Sequence, residues 1–544
     1  MKKWQIIAQK SQKLIAENQF LLYLGIFFVA LFVYLWIQSS PSFLDPDSFY
    51  HLKMAELISQ RGPILNFPWQ QFTVLKDYYV DQHFLYHVIA IPFIKILGDL
   101  AGFKFFTVLL ATLFILLTYA FFKSEKVKLA EIFALVLLFA PAFMFRISLG
   151  KATAFSLILL FSGIYLIFKR RYRLLFLVAF LYVWSYGGFP LLLIAALLYL
   201  LSEAIYQTFL NKTFEPKLAG TIKTSRIKKY IFTFLKNLLQ RINFKIILVV
   251  LGGLIAGFVF NFYFPKNLSF YWQQLVQIGI INYHGIVNVG GEWYPYKIPN
   301  LMTDCGVAMI LGILSLILFF IFIKKQKTPS IFFGLATLLF FGLTLKSQRY
   351  VEYFIPFLVY FIAFNSQVIF DSISVKNFWL ELKKDSPRFC IIITIIVICL
   401  LAIFPVIMGR DAYVTRQSFK GGISFYRFKG ICQYLKTNAP AKAIIMHTDW
   451  DNFPELFYYD DQNYYIVGLD PTFMYNYDAN KYKLFADITM AKKSDQLYQA
   501  IKENFQAQYF VVNSDRLQLA KNLQKDGNFI KVYEDNDGSV YKLK

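Results

Sequence analysis

The sequence predicts a polytopic α-helical membrane protein that ends in a soluble α/β segment. Three observations carry this. Of the 544 residues, 57% are hydrophobic and only 16% are charged. Several apolar runs approach or exceed the ~20 residues that cross a bilayer as a helix. Short basic segments separate those runs, as orientation signals do. The net charge of +23 is dispersed over these segments, which excludes a nucleic-acid-binding face as its purpose.

Spans are expected near 20–38, 101–122, 128–145, 153–168, 174–187, 189–207, 246–264, 304–323, 330–346, 350–369 and 389–408, about eleven in all. Lys2, Lys3, Lys10 and Lys13 precede the first run, and no small-residue cleavage site follows it. An uncleaved anchor with a cytoplasmic N-terminus is expected. The basic residues of 123–128, 169–173, 208–245, 324–327 and 383–388 then all fall inside. The C-terminal tail falls outside, in the cell membrane's outer compartment.

Two domains follow: a transmembrane domain over 1–408, with main outer loops at 39–100 and 265–303, and a non-cytoplasmic α/β domain over 409–544. The apolar stretch His83 to Gly98 is short for a span and is expected to lie on the outer surface. In the tail, Ala443 to Met446, Tyr464 to Val467 and Tyr509 to Val512 have strand character. Lys429 to Lys436, Ser494 to Phe505 and Asp515 to Gln524 have helical spacing. Phe529 to Tyr533 and Ser539 to Leu543 flank Asn536-Asp537-Gly538 as a hairpin. The four cysteines show neither a disulfide framework nor zinc spacing.

All five histidines (His51, His83, His87, His284 and His447) fall in the outer segments, beside acids and aromatics. Asp45-Pro46-Asp47-Ser48-Phe49-Tyr50-His51 follows the first span, and Tyr78-Tyr79-Val80-Asp81-Gln82-His83 lies in the same segment. Carboxylates and imidazoles at a membrane edge can hold a divalent cation that neutralises a leaving phosphate. The plainer alternative for Asp45 and Asp47 is an acidic helix cap, and for the second cluster a hydrated interface. Gly290-Gly291-Glu292-Trp293-Tyr294-Pro295 in the 265–303 loop reads as a segment that orders over a ligand, or as an ordinary turn. Arg349, at the outer end of a span, either snorkels or meets a phosphate. Glu352, just inside the next span, needs a partner, and Arg349 is the expected one. His447-Thr448-Asp449-Trp450-Asp451 ends the first tail strand, where α/β ligand sites form, unless it only caps a helix.

Taken in order, these motifs resemble the GT-C membrane glycosyltransferases, and among them the catalytic subunit of oligosaccharyltransferase. Asp47-Ser48-Phe49-Tyr50-His51-Leu52-Lys53 is similar to that family's Asp-x-Tyr-Tyr-His-Leu-Arg sequence in its first outer loop. Glu292-Trp293-Tyr294-Pro295 resembles the Glu of its large outer loop. Arg349-Tyr350-Val351-Glu352-Tyr353-Phe354-Ile355-Pro356 resembles its Arg-Phe-x-x-Tyr-x-x-Pro pattern. Asp449-Trp450-Asp451-Asn452 is similar to part of its Trp-Trp-Asp-Tyr-Gly hallmark. The family's second outer loop carries an acidic metal-binding pair. Here that turn is Arg146-Ile147-Ser148-Leu149-Gly150-Lys151, without an acid.

The resemblance implies a GT-C fold and an inverting glycosyltransferase that uses a polyprenyl-phosphate or -diphosphate sugar donor on the non-cytoplasmic face. It implies a protein, lipid or glycan acceptor; the cysteine-poor composition and the presence of every part in one chain point to a single-subunit enzyme. Asp47 and Glu292 are the expected catalytic residues, with a manganese or magnesium ion on Asp47, Glu292 and either Asp45 or Asp81. Alternatively the metal is absent, and Arg146 and Lys151 hold the phosphate directly beside Arg349. His51, His83, Trp293, Trp450 and Asp451 are expected at the acceptor and substrate. The competing readings are a monosaccharide transferase acting on lipid or cell-wall glycan, and a lipid-linked glycan transporter. A transporter calls for mid-span charges or inverted repeats, which the sequence lacks.

Overall fold

Apolar runs without interior charges satisfy their backbone polar groups internally, and each of the expected runs is helical in the computed structural model. The structure describes residues 19–210, 244–372 and 375–544. The N-terminal lysines and most of the basic 208–245 segment lie outside the described residues.

Helices occupy all the expected span positions, but not all as simple spans. Among the described residues, five are long and apolar enough to cross a membrane: Gln19–Ile37, Asp99–Ser124, Pro190–Leu210, Thr328–Lys346 and Gln348–Ser372. The expected spans at 128–145 and 304–323 are each two helices, bent by 71° and 104°. The first bend falls before Pro141, whose missing N–H and ring end the preceding helix. The helices Thr153–Phe168, Tyr172–Val183 and Phe244–Val259 are apolar but shorter. Among the described residues the expected span positions are thus a mixture of full-length, broken and short helices. Phe84–Leu97 is a separate short helix, packed on Asp47–Arg61 and Asp99–Ser124.

The last long helix, Pro387–Lys420, continues past the expected domain boundary at 408. Beyond it lies a five-stranded mixed sheet. Its strands are β3 (Ile444–His447), β4 (Tyr464–Tyr465), β5 (Tyr509–Asn513), β6 (Phe529–Glu534) and β7 (Gly538–Leu543), in the order β4-β3-β5-β7-β6. β3 runs parallel to β4 and β5, while β7 is antiparallel to β5 and β6. A separate two-stranded ladder pairs β1 (Ser42–Phe43) with β2 (Ile423–Ser424).

That ladder joins the first outer segment to the tail. Phe43 and Phe49 pack against Phe425, and Phe67 packs against Phe453 and Phe457. Trp69 donates its indole N–H to the Asp461 carbonyl at 2.8 Å, and Gln70 bridges to Tyr465 beside β4. Residues 39–100 and the tail therefore share one aromatic core. This sharing fixes the acids of the first outer segment against the end of β3.

Candidate functional site

The helix Asp47–Arg61 begins directly after Pro46, so its first-turn carboxylate sits at the positive end of the helix. Asp45 accepts the Asp47 backbone N–H at 2.9 Å, which turns both acids to the same side.

The turn Ser148–Lys151 passes under this helix start. A Cβ on Gly150 would lie 2.6 Å from Ser48 Oγ and 2.9 Å from the Phe103 ring, so only glycine allows the approach. Lys151 is thereby placed between the acids: its Nζ lies 2.8 Å from Asp45 Oδ2 and 2.9 Å from Asp47 Oδ2.

A second network faces the first. Glu292 accepts from Arg349 Nη1 at 2.7 Å on one oxygen and from Arg146 Nη1 at 2.6 Å on the other. Arg146 also donates through Nε and Nη2 to Glu352 Oε2, at 3.0 and 2.6 Å. Arg349 donates to the Tyr186 hydroxyl at 2.7 Å and stacks over Trp293 at 5.0 Å. The expected Glu352–Arg349 pair is therefore corrected. Glu352 is fully buried and takes Arg146 from a different helix, because Arg349 is drawn to the loop carboxylate. Ser347 Oγ donates to the Glu292 carbonyl and the Gln348 N–H to the Tyr294 carbonyl, which ties the Glu292 loop to the end of the adjacent helix.

Both networks line one cavity of about 820 Å³. Every residue singled out in the sequence as catalytic or binding lies on its wall except Asp81. Trp450 and Asp451 reach it from the end of β3, and Trp450 donates its indole N–H to the Asn288 carbonyl of the loop. Apolar side chains line the cavity as well, among them Leu191, Ile194, Leu339, Leu343, Leu275 and Ile278. Tyr186 and Asp470 also line the cavity and were not anticipated from sequence. Neither stands in a motif, and their places follow from long-range packing.

The electrostatics follow from burial and charge. Burial, with Asp45 beside it, raises the Asp47 carboxyl above the usual range, against the lowering effect of Lys151. Burial opposes charge on Lys151, but Asp45 and then Asp47 outweigh it, so the ammonium is held. Burial likewise opposes the Glu292 anion, yet Arg349, Lys151 and Arg146 keep its carboxyl well below the usual range. Asp451 is pushed up to about 8, by burial first and then by Asp47, Asp45 and Asp449. Asp470 is pushed up to about 6, chiefly by burial.

The carboxylates were expected to hold a divalent cation. As arranged, Asp45 and Asp47 share Lys151, Glu292 is taken by two arginines, and Asp81 accepts from His87 Nδ1 at 2.8 Å and from the His83 N–H at 3.0 Å. Asp81 is 1% exposed and does not face the cavity. Each cavity-facing acid is thus paired with an ammonium or a guanidinium. Among the described residues, His51, His83 and His87 lie close enough together that they could hold a metal ion.

No protein-family model and no curated protein matches the sequence. Solved structures do. The apo oligosaccharyltransferase of Archaeoglobus fulgidus matches with a TM-score of 0.62 at 14% identity, covering 96% of this chain and 74% of that one. The same archaeal enzyme, AglB, has been solved with an inhibitory peptide and a dolichol-phosphate, and also with zinc and sulfate. ArnT of Cupriavidus metallidurans bound to undecaprenyl phosphate matches with a TM-score of 0.52 at 12% identity, covering 97% of this chain and 98% of that one. The mycobacterial arabinofuranosyltransferase AftD matches with a TM-score of 0.53 at 11% identity, covering 96% of this chain and 40% of that one. The chain therefore has the fold of the GT-C membrane glycosyltransferases, oligosaccharyltransferase among them.

Proposed function

We propose that the protein is an inverting membrane glycosyltransferase that takes its sugar from a polyprenyl-phosphate or -diphosphate donor. The single observation that carries this reading is the cavity itself. Arg146, Lys151, Arg349, Asp47 and Glu292 line it together with the apolar Leu191, Ile194, Leu339 and Leu343. A lipid phosphate needs this combination: charge for the head and a greasy wall for the chain. Structures of the same fold carry dolichol-phosphate and undecaprenyl phosphate.

In this reading Arg349 meets the donor phosphate first. Its side chain is 26% exposed, against 9% for Arg146 and 12% for Lys151. Lys151 and Arg146 lie behind it and offset the charge that develops on the leaving phosphate. Asp47 accepts the proton of the incoming nucleophile, for which its raised proton affinity suits it. Asp45 and Lys151 fix its orientation. Attack at the anomeric carbon from the Asp47 side, opposite the departing phosphate, inverts the configuration. Glu292 orders its loop over the cavity by clamping two arginines, and Trp293 covers Arg349. Trp450, Asp451, His51 and His83 form the wall offered to the acceptor.

The acceptor is a protein or a glycan. The decisive experiment supplies purified protein in lipid vesicles with polyprenyl-monophosphate and polyprenyl-diphosphate sugars, beside peptide, glycan and lipid acceptors. Sugar transfer that is lost in Asp47→Asn supports the proposal. Donor turnover unchanged by Asp47→Asn and Arg349→Ala would sink it.

A further inference from the structure

Three imidazoles converge at the rim of the cavity. His51 lies on the helix Asp47–Arg61. His83 and His87 are four residues apart, at the start and in the first turns of the helix Phe84–Leu97, and so share one face of it. His51 Nδ1 and His87 Nε2 are 2.8 Å apart. One ring nitrogen from each of the three lies within 4.8 Å of the others. The His83 ring makes no hydrogen bond among the described residues. His51 and His87 are buried at 3% and 0% exposure, while His83 is half-buried.

We propose that His51, His83 and His87 form a zinc site, distinct from the carboxylate cluster around Lys151. Zinc–nitrogen bonds of about 2.0–2.1 Å in a tetrahedron set neighbouring ligand atoms about 3.3 Å apart. That spacing lies between the two observed limits: the His51–His87 pair opens by about half an ångström, and the widest pair closes by up to about 1.5 Å, to assemble the site.

The surroundings carry the argument further. Asp81 Oδ2 accepts from His87 Nδ1 at 2.8 Å, which fixes the ring and leaves Nε2 as a lone pair. A carboxylate behind a ligand imidazole is the usual outer partner of a zinc histidine. Three nitrogen ligands select a late first-row ion over magnesium or calcium, which prefer oxygen. His51 and His83 line the cavity and His87 does not, so the fourth coordination position opens towards the cavity. Metal here would also tie the helix Asp47–Arg61 to the helix Phe84–Leu97.

The test needs neither donor nor acceptor, so its outcome is independent of the transferase reading. The full chain, purified in detergent and stripped with chelator, is titrated with zinc or cobalt alone. Bound metal is counted by mass spectrometry, and cobalt coordination is read from its visible absorption. One equivalent per chain with tetrahedral cobalt bands is expected. His83→Gln and His87→Gln abolish it, Asp81→Asn weakens it by about 10–100-fold, and Asp47→Asn leaves it intact. His83 is the safer variant, because His87 is enclosed by the fold. A wild-type chain that takes up no zinc, or binding that survives both His variants, overturns the proposal and leaves Asp81–His87–His51 as a hydrogen-bonded relay. Binding lost in Asp47→Asn overturns it in favour of a carboxylate site.

Discussion

Lys151 holds Asp47 at 2.9 Å, and the same ammonium holds Asp45 at 2.8 Å. Burial, with the second carboxylate beside it, makes Asp47 take up a proton more readily than an ordinary carboxylate, against the effect of Lys151. The acid limb of transfer activity is therefore expected above the ordinary carboxylate range, with activity rising as Asp47 loses its proton. Lys151→Met removes the charge that lowers the Asp47 carboxyl. The limb should move to still higher pH, and kcat/KM at neutral pH should fall at least about tenfold, about 1.4 kcal/mol of barrier. A pH–rate profile of both proteins checks this.

Arg146 and Arg349 share Glu292 but are not equivalent. Arg146→Ala strands Glu352, which is fully buried, without its only hydrogen-bonding partner among the described residues. Breaking such a pair costs about 3–5 kcal/mol. Arg349→Ala leaves Glu292 with Arg146 and should cost far less stability. Thermal unfolding in detergent should separate the two variants clearly. Equal melting temperatures would contradict this account of the network.

Arg349 should act on donor binding instead. Arg349→Ala is expected to raise the KM for the donor about tenfold or more. Arg349→Lys should recover little of it, because an ammonium cannot contact Glu292, Tyr186 and the Trp293 face together. Initial rates against donor concentration test this.

Asp451 predicts a pH dependence of stability. Its carboxyl rises from 3.8 to about 8 in the fold, by burial and then by Asp47, Asp45 and Asp449. Between those values the folded chain binds this proton and the unfolded chain does not. The contribution to stability is thus complete below about pH 4, and it is lost as pH rises towards 8. Asp451→Asn should flatten that part of the melting-temperature profile and be the more stable protein at pH 8. An unchanged slope would remove Asp451 from the cause.

The helical run positions were legible in the sequence because hydropathy and backbone satisfaction are local. So were the strand, helix and hairpin positions of the tail, down to the turn at Asn536-Asp537-Gly538. The helices between Phe453 and Thr489 were not, since aromatic and polar residues mix there without a clean period. The bends at 138–141 and 304–307 were hidden too, because composition stays apolar through them. The residues lining the cavity were picked out by their chemistry: acids, imidazoles and arginines at run ends have few structural uses. Tyr186 and Asp470 carried no such signal.

By itself the sequence determined that the chain is helical with apolar runs of membrane-spanning character, and that its acids, imidazoles and arginines gather in the segments between them. Apolar length and charge placement suffice for that. Only the tertiary structure decided who pairs with whom: Lys151 between Asp45 and Asp47, Arg146 on Glu352, Arg349 on Glu292, and Asp81 behind His87. It also decided that the tail shares its core with residues 39–100. Ion pairs and hydrogen bonds are set by distances between elements far apart in the chain. Those distances are fixed by packing, and a local pattern of residue types does not encode them.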